Sequence, residues 1–353
     1  MAKNEETSVK NTKEWLVPES DLDNLAYSLI ESSSDKFVDD DFIMPTIDMN
    51  DLHSGGKKRN EFINKFGKAM EDIGQVILIN HGLEGAIEAA HEGALQIMTS
   101  VPIDRKMDFI AEDVTFGEPL IMGYIPIQES TENLPNSVEV WEWGRPAFKV
   151  AGENIERAKD FWPNEEDFEA KFRSYWQGCE YLEKPLIHAL FEYLSVDPTS
   201  LDDRLSPSNS CFRINHYPPT EELQISEDTV GRILAHEDYG LFTFLPATEV
   251  EGLQTFYPGL NSWIRMNPPK GSIIINGGDW LRFVSNGQFE SATHRVCVPR
   301  NAGKRACRRI TVPYVMHPHE DAIIEVAPGL EPKYKPCTGK EFMNRLFERY
   351  KKR

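Results

Sequence analysis

The stretch Ala235-His-Glu-Asp-Tyr-Gly-Leu-Phe-Thr-Phe-Leu-Pro246, AHEDYGLFTFLP, joins a histidine and an aspartate at a spacing of two to a run with the texture of a buried strand. In extended chain, residues i and i+2 project from one face, so His236 and Asp238 point the same way. The pair reads either as part of a metal site or as a charged loop leading into core, and by itself it does not separate the two. Two further polar pairs share the spacing inside otherwise apolar runs: Asn215 and Tyr217 in RINHYPP, and Arg309 and Thr311 in RRITVPY. A polar group facing a protein interior is costly unless a partner or ligand satisfies it. Three such pairs on three strands therefore argue for one shared polar pocket.

The residue types suit such a pocket. An imidazole and a carboxylate, joined by a second imidazole such as His294 in SATHRV, can hold iron on one face and leave three positions open. Arg309 reads either as an edge-strand side chain reaching for an acid or as a planar fork on a carboxylate, with the Thr311 hydroxyl beside it. Tyr217 reads as a half-buried strand tyrosine or as a donor to the same anion.

Outward from these strands, residues beyond about 208 form short apolar or alternating runs broken by Gly, Pro and Asn, the pattern of a β-barrel or sandwich. Upstream, residues 60–73 place Phe62, Phe66, Met70 and Ile73 on one helical face, and GQVILINHGL reads as a buried strand. A second long helix is expected over 165–194, with Pro185 kinking or dividing it. The predicted fold class is α+β, helices packed against a double-layered sheet. It comprises a polar extension over 1–41 with one docked helix near 22–30, a helical and β region over 42–200 packed on the core, and the core itself with a C-terminal helix over 201–353, the last two acting as one catalytic unit.

At 353 residues and 40% hydrophobic, the chain can bury one large core. Its 57 acidic against 38 basic residues give a net charge of -19, which repels phosphate backbones and anionic membranes, so neither nucleic acid nor a membrane is expected as a partner. Five cysteines without C-x-x-C spacing indicate neither a disulfide framework nor structural zinc. With no signal-peptide pattern and no apolar run near the ~18 residues of a membrane span, a cytoplasmic location is expected.

The ordered series MPTID, NHGL, GYIP, RINHYPP, HEDYGLFTFLP, EGLQ, GSIIINGGDWLRFVSNGQFESATHRV and RRITVPYVMHP resembles the isopenicillin N synthase-like family of Fe(II)- and 2-oxoglutarate-dependent oxygenases over residues 44–350. The resemblance implies a double-stranded β-helix (jelly-roll) core flanked by N-terminal helices. It also implies a dioxygenase of secondary metabolism that hydroxylates, desaturates or cyclises a small-molecule metabolite, releasing succinate and CO2. Fe(II), 2-oxoglutarate and O2 would be its cofactors, with ascorbate as a stimulant. His236, Asp238 and His294, the last 56 positions after Asp238, match the iron triad. Arg309 and Thr311 match the family's R-x-S pair for the distal carboxylate of 2-oxoglutarate, Thr keeping the hydroxyl; Asn215 and Tyr217 match its N-x-Y. Two alternatives remain open: an Fe(II) oxidase of the same fold that dispenses with 2-oxoglutarate, and a non-catalytic metabolite-binding barrel. Substrate contacts are sought at Tyr124, Trp141, Trp143, Arg145 and Phe283, which read equally as aromatic packing, with Arg145 a candidate for a substrate carboxylate. Gly277 and Gly278 mark a bend or a close backbone approach. Nothing in the sequence sets the oligomeric state.

Overall fold

The computed structural model describes residues 38–111, 123–127, 137–149, 161–205, 209–223, 231–319 and 322–350; the helix expected near 22–30 lies outside them. Short runs bounded by Gly, Pro and Asn become strands β1 (Val38–Asp39), β2 (Thr46–Asp48), β3 (Gln75–Ile79), β4 (Gly123–Ile125), β5 (Glu139–Gly144), β6 (Cys211–Tyr217), β7 (Gly231–His236), β8 (Phe242–Pro246), β9 (Leu253–Tyr257), β10 (Ser262–Arg265), β11 (Ile273–Gly277), β12 (His294–Cys297), β13 (Arg309–Thr311) and β14 (Tyr314–Val315). They form two sheets: a smaller one in the order β1-β10-β9-β12-β7, and a larger one in the order β2-β3-β11-β8-β14-β6-β5-β4, with β13 also paired to β6. This is the α+β jelly roll expected. Strands β2 to β5, from the chain's first half, extend the same sheet as the later strands.

The larger sheet sorts its residues by parity. Phe212 and Ile214 of β6, Phe242 and Phe244 of β8, and Ile273 and Ile275 of β11 belong to one apolar cluster, which they share with the helices. Ile77, Val140, Tyr217, Leu245 and Ile274 belong to a second cluster with Leu253 and Val296 of the smaller sheet. The period of two in a pleated strand produces this division, and the second cluster is the lining of the barrel.

Helices cover the outer face. Gly56–Asp72 buries Phe62, Phe66 and Met70 as the spacing predicts. A helix not anticipated from the sequence, Glu84–Ser100, buries Ile87, Ala90, Ala94 and Ile97. Ala90, Gly93 and Ala94 make up the middle of its buried stripe, which weakens the signal that larger side chains give. Glu165–Tyr193 runs as one helix with Pro185 inside it, so the expected division does not occur. The amide missing at Pro185 would have bonded the carbonyl of Tyr181, which is an exposed residue, and apolar packing of Phe168, Phe172, Trp176, Leu182 and Leu186 continues on both sides. Among the described residues, no helix is long and apolar enough to cross a membrane.

Candidate metal centre and its cavity

His236 ends β7 and His294 begins β12, and the two stand opposite each other in the antiparallel register. Their ring centroids are 4.3 Å apart. Asp238 follows in the turn into β8, with its Oδ1 3.9 Å from His236 Nε2 and 3.8 Å from His294 Nε2. One ligating atom from each of the three residues lies within 4.8 Å of the others. Each histidine donates Nδ1–H to a carbonyl two residues earlier, His236 to Leu234 and His294 to Ala292, both at 2.8 Å. A carbonyl can only accept, so these bonds fix the tautomers and leave both Nε2 lone pairs facing the aspartate.

Asp238 Oδ2 is held from behind. It accepts from Thr243 Oγ1 at 2.6 Å and from Asn276 Nδ2 at 3.3 Å. Asn276 Oδ1 in turn accepts from Gln75 Nε2 at 2.5 Å, and Gln75 Oε1 accepts from Thr255 Oγ1 at 2.6 Å. This chain of bonds across four strands admits one orientation of each amide. Burial acts to raise the Asp238 carboxyl, but the imidazoles of His294 and His236, with the bonds from Thr243 and Asn276, outweigh it and hold the carboxyl below its ordinary value. Burial, with His294 acting in the same direction, pushes the His236 imidazole down to about 4. At neutral pH both groups are deprotonated, as metal ligation requires.

Glu237, between His236 and Asp238, faces the other way into a buried charge cluster. Its carboxylate lies 3.6 Å from Arg282 Nη1 and accepts from Thr293 Oγ1 at 3.2 Å. The backbone of Gly278 is pressed against the same turn: a Cβ there would stand 2.7 Å from the Asp238 carbonyl oxygen. Asp279 N–H donates to that oxygen at 2.8 Å. The close approach expected at this glycine pair is thus an approach to the aspartate that faces both imidazoles.

One cavity is lined by His236, Asp238 and His294 together with Arg213, Asn215, Tyr217, Arg309 and Thr311. Arg309 and Thr311 face Tyr217 and Asn215 across the β13–β6 register, so the sequence pairs meet as pairs. Asn215 Nδ2 donates to Thr311 Oγ1 at 3.3 Å. The guanidinium carbons of Arg309 and Arg232 lie 5.0 and 5.2 Å from the Tyr217 ring centroid. Arg309 Nε donates to the Val250 carbonyl at 3.3 Å, but its Nη1 and the Oδ1 of Asn215 are buried with no hydrogen-bond partner among the described residues. An orphaned buried guanidinium nitrogen is costly. A carboxylate ligand in this cavity would satisfy it, and three converging Nε2 and carboxylate atoms suit a divalent metal. The donor set therefore fits both iron and a dicarboxylate cosubstrate.

The five expected substrate contacts are not among the cavity-lining residues. Trp141, Trp143 and Tyr124 occupy the outer, helix-facing cluster; Trp143 stacks on Trp162 at 4.3 Å, and the Tyr124 hydroxyl donates to Glu139 at 2.6 Å. On β5 the inward residues are Val140 and Glu142, one position out of phase with the tryptophans. Arg145 forms an ion pair with Glu180. Phe283, on the helix Asp279–Val284, stacks on Tyr334 at 5.3 Å. Sequence reasoning missed Thr243, Asn276 and Arg213. Each is a polar residue in a run of large apolar ones, and Arg213 stands two before Asn215, so the spacing rule already applied to Asn215 and Tyr217 reaches it.

Two families match the chain: the 2OG-Fe(II) oxygenase superfamily over residues 208–318, and the non-haem dioxygenase in morphine synthesis N-terminal family over residues 44–165. Protein DMR6-LIKE OXYGENASE 2 of Arabidopsis thaliana is 27% identical over 289 residues, covering 81% of this chain and 76% of that protein. Leucoanthocyanidin dioxygenase of Petunia hybrida is 25% identical over 349 residues, covering 96% and 76%. Among solved structures, the full-length Neurospora crassa T7H in complex with alpha-KG and thymine superposes with a TM-score of 0.73 at 23% identity, covering 88% of this chain and 98% of that one.

Proposed function

The chain belongs to the 2OG-Fe(II) oxygenase superfamily and is a 2-oxoglutarate-dependent non-haem iron dioxygenase, and from that premise we propose which residues carry the reaction and on what class of substrate. His236, Asp238 and His294 hold Fe(II). Arg309, Thr311, Tyr217 and Asn215 receive the distal carboxylate of 2-oxoglutarate. The substrate is a small-molecule metabolite, oxidised foremost by hydroxylation, with succinate and CO2 released. The observation that carries this reading is the buried, unpartnered Nη1 of Arg309 in the same cavity as the three converging ligand atoms. Relatives support the substrate class: one is named a leucoanthocyanidin dioxygenase, and solved neighbours hold thymine or JA. Because β2 to β5 extend the sheet that bears the site, residues 42–200 and 201–353 are proposed as one catalytic unit.

When bound, iron with 2-oxoglutarate and O2 supplies the oxidising power, one oxygen atom passing to succinate and one to a hydroxylated product. The chain's own residues do the rest. The Nδ1 bonds to Leu234 and Ala292 fix the orientation of both imidazoles and leave Nε2 as the atom offered to the metal. Thr243 and Asn276 keep Asp238 ionised and oriented. Arg309 offers its cation where surrounding protein strengthens a carboxylate pairing relative to water. Ile233, Leu245, Leu253 and Val296 give the cavity an apolar wall, which limits water around the reacting carbon.

Two variants test the assignment. His236→Ala is expected to lose Fe(II) binding and activity, whereas Arg309→Ala keeps the metal and needs about 100-fold more 2-oxoglutarate for half-maximal rate. Metal titration and 2-oxoglutarate consumption read both outcomes. An iron-bound, active His236→Ala protein, or an unchanged 2-oxoglutarate requirement in Arg309→Ala, overturns it.

A further inference from the structure

We propose that Arg213 is the substrate-recognition residue of this cavity and that it selects a small carboxylic acid; this rests on the functional reading above and extends it. Arg213, Asn215 and Tyr217 are alternate residues of β6, and all three line the cavity that holds the His236, Asp238 and His294 side chains. From Arg213 to Tyr217 the strand spans roughly 14 Å. Tyr217 is the residue that Arg309 faces, so the cavity carries one guanidinium toward each end of this segment. Arg213 and Arg309 are the two arginines among its described lining residues. Arg309 is committed to the cosubstrate. Arg213 is not.

Arg213 has one carboxylate in ion-pair range and a hydrogen-bonding nitrogen left over. Its side chain is 36% exposed, and Nε is buried without a hydrogen-bond partner among the described residues. The neighbouring carboxylate, Glu142 on β5, stands 3.7 Å from Nε, inside ion-pair range but outside hydrogen-bonding range. A guanidinium that lines the cavity, is partly exposed and keeps an Nε–H without an acceptor has the geometry for bidentate capture of a carboxylate. Glu142 balances the charge of Arg213. Pro313 and Val315 flank this part of the wall, so the anionic end of the substrate meets Arg213 while apolar surface receives the remainder. The carboxylate sought at Arg145 on sequence grounds is thereby assigned to a different arginine, because Arg145 is paired with Glu180.

The test uses Fe(II)-loaded protein saturated with 2-oxoglutarate under nitrogen, so that Arg309 is occupied and no turnover occurs. Matched acids and primary amides (benzoate and benzamide, 4-coumarate and 4-coumaramide, octanoate and octanamide) are titrated by equilibrium binding, and the ratio of affinities within each pair is read. In the wild-type protein the acid is expected to bind about 30-fold or more tighter than its amide in at least one pair. Arg213→Gln should collapse that ratio toward one, and Arg213→Lys should recover part of it. Equal binding of every acid and its amide by the wild type, or a ratio preserved in Arg213→Gln, overturns the proposal. The underlying reading fails differently: a protein that does not bind Fe(II), or that consumes no 2-oxoglutarate in air with any compound, loses both. A protein that binds Fe(II) and consumes 2-oxoglutarate but shows no acid preference loses only the role of Arg213.

Discussion

Asn276 donates to Asp238 Oδ2 on one side and accepts from Gln75 on the other, so its amide cannot turn over without breaking both bonds. Asn276→Ala is expected to weaken metal binding by about 10- to 100-fold, the usual effect of losing a partner that orients a ligand. It should also destabilise the fold by about 1–3 kcal/mol, because the Nε2 of Gln75 is left without its acceptor in a buried site. Titration with Fe(II) or Co(II), alongside denaturant unfolding, measures the two effects separately. At this scale much of the site is legible in the sequence: a spacing of two is enough to place Asn215 with Tyr217 and Arg309 with Thr311 on common faces. The phase of that spacing is not legible where both parities are plausible core. In VEVWEWG the large tryptophans look like pocket residues, yet helices cover the outer side of β5 and take Trp141 and Trp143 there, leaving Glu142 on the inner side beside Arg213.

The elements meet at the turn that carries Asp238. Gly278 lies against it so closely that any side chain would collide with backbone rather than with a movable group. Gly278→Ala should therefore shift the turn, lowering stability by about 1–3 kcal/mol and weakening metal binding along with it; a thermal melt and a metal titration on the same preparation report both, and unchanged values in each would show that the turn accommodates a methyl group. Element identity was legible where one face carries large apolar residues, as in Gly56–Asp72. It was not legible in Glu84–Ser100, whose stripe includes alanines, nor at Pro185, where tertiary packing outweighs a local helix breaker. The pairing that sets His294 opposite His236 joins strands far apart in the chain, and no local pattern encodes it.

For the whole molecule, acid is the condition that tests the buried interior. Burial pushes the His317 imidazole down to about 4 from an ordinary 6.5, against the opposing pull of Asp238. The folded value lies below the unfolded one, so between those pH values the unfolded chain binds a proton that the folded chain refuses, and stability falls as pH falls through that window. The contribution is on the order of 3 kcal/mol. His317→Phe, which keeps a ring stacked on Tyr239, should flatten the decline of the melting temperature of the metal-free protein between pH 6.5 and 4. His236 leaves a residual slope, since it is depressed in the same way. An unaltered slope would mean that His317 takes no part. The parity of the larger sheet has a consequence for descent as well. Neighbouring codons of β6, β8 and β11 answer to different masters: one reports to the helices, the next to the barrel interior. Lineages can therefore exchange substrates by changing alternate letters of a strand while its scaffold letters stand still, and can repack the scaffold without retraining the chemistry.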